Sequence, residues 1–381
     1  MHNDDLINFL QNAIRTPSLT GQEKPFIQLV VKEMKQLGYD HVWVDAAGNA
    51  IGEIVGSHPG KSILLDAHAD TVTANADDWE FDPFAGIIQD KRMIGRGTAD
   101  TKGNLAAMIY AAANIDRSKI SGNIFVSATV HEEIFEGGSL KTVVDQTHPD
   151  YVVIGEASDF NINHGGRGRA EIIIETIGQS AHSSSPEIGN CAVHEMIRLI
   201  HTIESQKMNN HPALGPASMV LTDIISSPYP GHSVIPNRCQ VTFDRRLLIG
   251  ETVESLELEL EEYARQANVA CKFSILDAIE TTYTNFNFEG KRFFPAWLLS
   301  EDHLMVQKSL KAIKTIVPES RLSAFRFCTN GTFSAGIAGI PTIGFGLGKE
   351  TDAHTVNESI AIKDLIKASE CYQLIIEEVL N

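Results

Sequence analysis

The architecture of the chain is most evident at residues 62–70, which read SILLDAHAD. The first six residues of this stretch are mostly apolar, and His68 and Asp70 follow them at once. A short apolar run of this kind is typical of a buried strand in a sheet that is covered on both faces. Ligands of open α/β sheets bind in the crevice outside the carboxyl ends of the strands. The stretch therefore predicts a buried strand that carries polar side chains to a ligand-binding edge.

The same pattern recurs along the chain. Three further apolar runs predict strands at 123–130 (NIFVSATV), 151–155 (YVVIG) and 341–347 (PTIGFGL). Helical patterns alternate with the strands, at 4–14, at 24–37 and in the Ala-rich stretch 103–115. Alternation of strands and helices predicts an α/β fold with a mixed, mostly parallel sheet flanked by helices.

The middle of the chain follows a different order. The predicted elements are a strand at 170–177, a helix at 190–205, strands at 217–225 and 239–248, a helix at 252–267 and a strand at 270–275. The order β-α-β-β-α-β is that of a ferredoxin-like α+β domain. We therefore expect residues 1–167 to form the first part of one domain, 168–283 an inserted ferredoxin-like domain, and 284–381 the second part of the first domain.

Composition excludes several classes of protein. The chain has 381 residues with 31 basic and 49 acidic side chains, a net charge of −18, so it has no general attraction for nucleic acid or an anionic membrane. Five cysteines without a CxxC pair favour reduced thiols. The N-terminus lacks the pattern of a signal peptide, and no apolar run approaches the length of a membrane span. These features predict a cytoplasmic protein.

Side chains that bind metals follow each of the four predicted strands. They are His68 after the first, Glu132 and Glu133 after the second, Glu156 after the third and His354 beyond the fourth. Asp100 lies in the Gly-bracketed loop GRGTADTKG. Convergence of these oxygen and nitrogen donors suits Zn²⁺ or a similar divalent ion. A carboxylate such as Asp100 would offset the repulsion between two ions, and the pair Glu132–Glu133 offers a base and a ligand from one turn.

Other classes of function are less consistent with the residues. The segment GFGLGKE at 344–350 lacks the first Gly and the final Ser/Thr of a phosphate-binding loop. The sequence contains no GxSxG motif, the pattern that is typical of a serine nucleophile in α/β-hydrolases. A non-catalytic binding protein on the same fold remains an alternative, because fold does not determine function.

Eight segments, in order, resemble one known family. They are HADTV, GRGTADTKGNLAA, HEEIFEGG, IGEAS, GQSAHSSSPEIGNCA, SVIPN followed by DRR, TNGT and DAHTVNE. Together they resemble the co-catalytic zinc metallopeptidases and deacylases, the family of acetylornithine deacetylase, succinyl-diaminopimelate desuccinylase, aminoacylase and glutamate carboxypeptidase. The resemblance covers nearly the whole chain, including the inserted domain. It implies that residues 1–167 and 284–381 form a catalytic metal-binding domain and that residues 168–283 form a lid or dimerisation domain.

The resemblance implies a role for each metal-site residue. Asp100 would bridge two metal ions, most often Zn²⁺, with Co²⁺ or Mn²⁺ as alternatives. His68 and Glu156 would complete one site, and Glu133 and His354 the other. Asp70 would orient the His68 imidazole, and Glu132 would act as the general base.

Further residues would act on the substrate, a small N-acyl amino acid or peptide. His182 would reach a neighbouring subunit's site and stabilise the oxyanion, which implies a homodimer. Arg246 and Thr332 would contact a substrate carboxylate. Ser233 stands where many relatives have Asn, so contacts there would be altered. Glu rather than Asp at position 156 favours hydrolysis of an N-acyl or peptide amide next to a free carboxylate, with a dipeptidase or carboxypeptidase as the alternative.

Overall fold

The computed structural model describes residues 3–381. Within that range the chain forms eight α-helices. Their bounds are α1 Asn3–Ile14, α2 Lys24–Gln36, α3 Lys102–Ala113, α4 Gly138–Thr147, α5 Ala192–Glu204, α6 Val253–Ala267, α7 Leu304–Ile313 and α8 Ile362–Leu380. None of the helices in the described part of the chain is long and apolar enough to cross a membrane.

The same residues form 21 strands. Their bounds are β1 His41–Val44, β2 Ala50–Val55, β3 Ile63–His68, β4 Ile87–Gln89, β5 Arg92–Ile94, β6 Asn123–Thr129, β7 Tyr151–Ile154, β8 Ile162–Gly166, β9 Gly168–Ile177, β10 Asn210–His211, β11 Gly215–Pro216, β12 Ser218–Ser227, β13 Arg238–Leu247, β14 Cys271–Ile275, β15 Asp277–Thr281, β16 Asn287–Lys291, β17 Phe293–Phe294, β18 Trp297–Leu298, β19 Leu322–Phe325, β20 Thr342–Gly344 and β21 Ser359–Ala361.

Internal contacts divide the chain into two compact units. The first unit comprises Met1–Gly166, Ile279–Phe288 and Trp297–Asn381, and the second comprises Arg167–Ala278 and Glu289–Ala296. The structure describes the first unit from residue 3 onward.

The first unit contains a mixed sheet in the order β1-β2-β6-β3-β7-β20-β8-β18, with β19 also paired to β8. The four strands β6, β3, β7 and β20 are adjacent and parallel. Both faces are covered. On one face, Leu65 of β3 packs in a cluster with residues of α1, α3 and α8. On the opposite face, the preceding residue Leu64 packs in a cluster with residues of α4. Because successive side chains of a strand point to opposite faces, burial on both sides explains why this stretch is apolar without alternation. The predicted mixed, mostly parallel sheet is confirmed.

The predicted strand at 341–347 is shorter in the structure, where β20 ends at Gly344. Side chains bind the backbone beyond that residue. The hydroxyl of Ser158 accepts a hydrogen bond from the Gly346 N–H at 2.9 Å, and Asn104 Oδ1 accepts one from the Leu347 N–H at 2.8 Å. The apolar run predicted a longer strand, because the sequence pattern does not show that these N–H groups bind side chains from distant parts of the chain.

The second unit contains a sheet in the order β12-β13-β9-β14, and all three of these pairings are antiparallel. Helices α5 and α6 pack on one face through a cluster that includes Met196, Leu199 and Leu256. The order of elements matches the ferredoxin-like pattern.

The return of the chain to the first unit differs from the expected boundary at 283/284. Tyr283 already lies in the first unit, where its hydroxyl donates to the carbonyl oxygen of Gly48 at 2.8 Å. Residues 289–296 lie with the second unit, because β17 pairs with Arg169 and Ala170 of β9. The lid and dimerisation roles of the inserted domain stay predictions.

Candidate metal centre

The four parallel strands of the first unit carry the predicted ligands at their carboxyl ends. His68 is the last residue of β3. Glu132 and Glu133 follow β6, Glu156 follows β7, and His354 lies in the segment after β20. Because β6, β3, β7 and β20 are neighbours in the sheet, their ends bring these side chains to one edge.

His68 is oriented by a backbone carbonyl. Its Nδ1 lies 2.8 Å from the carbonyl oxygen of Asp70, and its side chain is 2 % exposed. Since a carbonyl oxygen only accepts, Nδ1 donates, and the lone pair of the neutral ring is then on Nε2. That Nε2 faces Asp100 Oδ1 at 2.9 Å and Glu156 Oε1 at 3.5 Å. The neutral ring therefore directs a lone pair, which can bind a metal ion, toward the other predicted ligands.

Asp100 lies between the two imidazoles. Oδ1 is 2.9 Å from His68 Nε2, and Oδ2 is 3.1 Å from His354 Nε2. His354 Nε2 also lies 3.1 Å from Glu133 Oε2. One carboxylate thus faces a different imidazole with each oxygen, which is the arrangement expected of a ligand that bridges two ions.

Two groups of potential ligand atoms meet at this edge. In each group the atoms lie within 4.8 Å of one another; the first group is His68, Glu132 and Glu156, and the second is His68, Asp100 and Glu133. Glu132 and Glu133 are neighbours in sequence, yet they belong to different groups. The structure therefore brings together all five predicted ligands and the predicted base.

Asp70 differs from its expected contact. Its carboxylate Oδ1 lies 3.8 Å from His68 Nδ1, beyond hydrogen-bond distance. Its oxygens accept hydrogen bonds from the N–H groups of Glu132 at 3.1 Å and Glu133 at 3.2 Å, and from the Thr20 hydroxyl at 2.8 Å. The fully buried Asp70 thus orients His68 through its backbone and fixes the loop of Glu132 and Glu133 through its side chain.

The charge of the cluster favours a bound cation. Asp70, Asp100, Glu132 and Glu156 are all buried, and Glu133 lies beside them. No Lys or Arg of residues 3–381 forms an ion pair with these five carboxylates. The ion-pair partners of all except Glu132 are His68 and His354. Even two imidazolium groups would leave excess negative charge in a buried site, and buried charge is stable only when it is compensated. The donor set fits divalent metal ions.

The pKa values show the same preference for positive charge. Burial alone would lower the pKa of His68, but the carboxylates of Glu156 and Asp100 outweigh it and raise that pKa well above its usual value. Hydrogen bonds to Asp100 and Glu133 raise the pKa of His354 to about 10. Both imidazoles thus hold protons at positions that a metal ion would take.

Comparison with known protein families shows which family the chain belongs to. Residues 64–378 match the family described as Peptidase family M20/M25/M40. The chain belongs to this family.

Individual proteins resemble the chain along nearly its whole length. The uncharacterized protein YgeY of Escherichia coli (strain K12) is 31 % identical over 379 residues, which is 97 % of this chain and 93 % of that protein. The acetylornithine deacetylase of Photorhabdus laumondii is 26 % identical over 373 residues, 93 % and 92 % of the two chains. The crystal structure of aminopeptidase PepT from Bacillus cereus superposes with a TM-score of 0.78 at 21 % identity and covers both chains completely. The resemblance inferred from the sequence is confirmed, and the chain is an M20 hydrolase.

The predicted substrate-binding residues of this M20 chain lie in different units. Thr332 is buried in the first unit, where its methyl group lies against Gly137, in the loop that follows Glu132 and Glu133. Arg246 lies on β13 of the second unit, and its Nε is 2.9 Å from Asp244 Oδ1. Arg245 points to the opposite face, as expected for a strand, and is 1 % exposed beside Glu251 and Glu259.

Ser233 and His182 come together within the second unit. The carbonyl oxygen of Ser233 accepts a hydrogen bond from the Ser183 N–H at 2.9 Å, and His182 forms a β-bridge with Val234. His182 itself is exposed, and its Nδ1 accepts a hydrogen bond from the Ser184 N–H at 3.1 Å. This contact places the proton of the neutral ring on Nε2.

Sequence reasoning assigned no role to three buried residues around the metal centre. Glu23 Oε1 accepts a hydrogen bond from the His131 N–H at 3.3 Å. Asn330, within TNGT, donates to Asp66 Oδ2 at 2.9 Å and to the Thr129 hydroxyl at 3.0 Å. Glu358, within DAHTVNE, binds the loop of Asp100. Asn330 and Glu358 lie within the motifs TNGT and DAHTVNE, so their positions in the sequence indicated a place near the site. Glu23 lies in none of the recognised motifs.

The segment 280–297 is rich in aromatic residues, and part of it packs beside the metal centre. Phe288 packs against Phe135 with ring centroids 6.0 Å apart and against the His131 ring at 6.2 Å. Both partners flank Glu132 and Glu133 in sequence. The segment therefore supports the loop that carries these two carboxylates.

Proposed function

We propose that this M20 hydrolase cleaves the amide bond of an N-acyl amino acid, or of a small peptide, that carries a free carboxylate. The observation that supports this most strongly is Asp100, whose two oxygens face His68 and His354 while Glu132 lies in the same buried cluster. His68, Glu156 and Asp100 would hold one divalent ion, and Asp100, Glu133 and His354 a second. The mixed N/O donor set suits Zn²⁺ best, and Co²⁺ or Mn²⁺ also fit.

Bound metal ions would polarise the amide carbonyl and lower the pKa of water. Glu132 would then accept a proton from the attacking water and deliver it to the leaving amine. Burial raises the pKa of Glu132 well above the usual value of a carboxyl group, which makes its carboxylate a stronger base for the first half of this transfer. The hydrogen bond from its N–H to Asp70 holds its backbone in place.

His182 would donate a hydrogen bond to the oxyanion. The N–H of Ser184 can only donate, so Nδ1 of His182 is the acceptor, and Nε2 carries the proton of the neutral ring. An exposed imidazole whose Nε2 carries the proton can donate a hydrogen bond to a group outside its own loop. This supports the expected role of His182 in the partner's site.

Arg246 would bind the substrate carboxylate, with Thr332 as a second contact. Only Nε of Arg246 has a partner among the described residues, the carboxylate of Asp244, and its side chain is 30 % exposed. The two terminal NH₂ groups remain available for a carboxylate. Ser233, also in the second unit, would offer the substrate a shorter hydroxyl in place of an amide.

Replacement of the two neighbouring arginines should give opposite effects. Arg246→Ala should raise KM by at least tenfold, because it removes a contact to the substrate, and should leave the stability nearly unchanged. Arg245→Ala should lower the free energy of unfolding by about 2–4 kcal/mol, because it leaves Glu251 and Glu259 without their buried counter-charge, and should leave KM unchanged. Steady-state kinetics and urea unfolding of both variants test this pair; an unchanged KM in Arg246→Ala would contradict the assignment.

A homodimer would be formed through β12. This strand has a partner, β13, on one side only among the described residues, and its side chains Val220, Ile224 and Ile225 are 55 %, 50 % and 55 % exposed. Unpaired edge strands with apolar side chains bind another chain or are protected. A second copy that pairs along β12 would bury these side chains, and the expected role of His182 requires such a partner.

Ile225→Lys should therefore convert the dimer into a monomer and remove most of the activity. Sedimentation velocity measures the state of assembly, and Leu258→Lys is the control, because Leu258 is 67 % exposed on α6 and not on the edge strand. A dimeric and active Ile225→Lys variant would show that β12 is not the interface.

A screen of substrates separates the deacylase from a metallo-dipeptidase or carboxypeptidase. The metal-loaded enzyme is assayed with acetyl and succinyl amino acids, with dipeptides, and with the carboxamide of each compound. We expect hydrolysis of N-acyl amino acids and at least a hundredfold lower kcat/KM for the carboxamides, which lack the charge that Arg246 binds. Hydrolysis of dipeptides alone would support the alternative. A place in amino-acid metabolism and in the cytoplasm stays a prediction.

A further inference from the structure

Glu358 lies at a junction between two loops of the metal centre. It is 2 % exposed and precedes β21, which pairs with β5 through Ser359 and Ile94. The loop 95–100 begins directly after β5, and the Gly95 N–H donates to the carbonyl oxygen of Glu358 at 2.9 Å. The pairing of β21 with β5 therefore places the Glu358 side chain beside the loop that ends in Asp100.

The carboxylate of Glu358 organises that loop. Oε1 accepts hydrogen bonds from the N–H groups of Ala99 at 2.7 Å and Asp100 at 3.0 Å. Oε2 accepts from the N–H of Gly97 at 3.1 Å and from Arg96 Nη1 at 2.8 Å. Successive backbone N–H groups that converge on one anion form a nest, and the carboxylate here takes the place of the anion. The backbone of Asp100 is thus fixed by a side chain from far along the sequence.

The same short segment contacts Asp100 twice. His354 Nε2 lies 3.1 Å from Asp100 Oδ2, and Glu358, in the same DAHTVNE motif, accepts from the Asp100 N–H. The first contact involves the side chain of Asp100 and the second its backbone. Together they define the distance between the carboxylate and the imidazole.

We infer that Glu358 is a positioning residue that holds Asp100 at the correct distance from His354 and so sets the affinity for the metal pair. This inference rests on the proposed metal centre. Residues that orient metal ligands typically change metal affinity by about 10–100-fold when they are replaced. If Glu358 served only as the ion-pair partner of Arg96, its replacement would lower the stability of the fold and leave the metal affinity unchanged.

The second unit contains a matched control. Glu251 also accepts from an arginine and from the backbone: its Oε1 lies 2.5 Å from Arg245 Nη2, and its Oε2 accepts from the Leu248 N–H at 2.6 Å. None of the predicted metal ligands lies in that unit. Glu251→Gln therefore disturbs a similar set of hydrogen bonds, and none of them involves Asp100.

The experiment titrates metal-free protein with Co²⁺ and follows the visible absorption of the bound ion, for the wild type, Glu358→Gln, Glu251→Gln and Asp100→Ala. We expect Glu358→Gln to bind Co²⁺ about 10–100-fold more weakly and with altered band intensities, and Glu251→Gln to match the wild type. Folded Glu358→Gln with wild-type affinity and spectrum would overturn the inference.

Two further outcomes keep the test decisive. If Glu358→Gln does not fold, Arg96→Met takes its place, since it removes one donor to the carboxylate; it should bind Co²⁺ severalfold more weakly, and a wild-type affinity would contradict the inference. If the wild type itself binds no Co²⁺, the proposed metal centre fails. If the wild type binds and the folded variant binds equally well, only the role of Glu358 fails.

Discussion

Replacement of Glu132 by Gln is expected to lower kcat by about 10²–10⁴-fold, the usual contribution of a general base. Gln keeps the size and the backbone hydrogen bond to Asp70 but cannot accept a proton. KM should change little, because Glu132 is not expected to bind the substrate carboxylate. Steady-state kinetics on the best substrate of the screen measures the effect.

Metal content distinguishes a base from a ligand at position 132. Glu132 lies within 4.8 Å of His68 and Glu156 in one group of potential ligands, so ligation is the competing interpretation. If Glu132 is the base, the Gln variant retains two ions per chain and loses activity. Glu136→Gln is the control, because Glu136 is buried in the same loop but belongs to neither group. Loss of an ion from Glu132→Gln, or activity close to that of the wild type, would contradict the assignment.

Removal of metal should abolish activity and also destabilise the protein. The buried carboxylates of Asp100, Glu132 and Glu156 repel one another without a cation between them. A ligand that binds only the folded state at a hundredfold excess over its Kd adds about 2.7 kcal/mol. At an unfolding entropy of about 2.1 cal/mol/K per residue, this stabilisation shifts the Tm of a chain of this size by about 3–4 °C. Differential scanning fluorimetry with a chelator measures the shift, and Zn²⁺, Co²⁺ or Mn²⁺ should restore it.

The chelator experiment has an internal control. Asp100→Ala lacks the bridging carboxylate, so the chelator should leave its Tm unchanged. An equal shift in this variant would mean that the stabilising metal is bound elsewhere in the chain.

Much of the metal centre could be predicted because local patterns locate it. The run before His68 is apolar and short, so it predicts a strand, and the carboxyl ends of neighbouring parallel strands meet at one edge. Glu132, Glu133 and Glu156 follow similar runs. A strand at 239–248 likewise requires neighbouring residues to point to opposite faces, and the structure shows this for Arg245 and Arg246.

The residues that support the ligands could not be predicted in the same way. Glu358 binds N–H groups more than 250 positions earlier in the chain, and a backbone donor leaves no pattern in the sequence. The carboxylate of Asp70 was expected to contact His68, but it binds the N–H groups of Glu132 and Glu133 instead. The boundary at 283/284 differed for a related reason, since the pairing of Phe293 with Ala170 depends on the fold rather than on local propensity.

The metal content per chain, measured by inductively coupled plasma mass spectrometry on the wild type and on Asp100→Ala, tests the dinuclear centre most directly. Both proteins are purified without added metal, reconstituted in parallel with Zn²⁺, Co²⁺ or Mn²⁺, and freed of unbound ions. About two ions per wild-type chain and a marked loss in Asp100→Ala are expected, because one carboxylate contributes to both sites. A wild type that binds no ion after reconstitution, or an Asp100→Ala variant that retains two, would contradict the bridging centre.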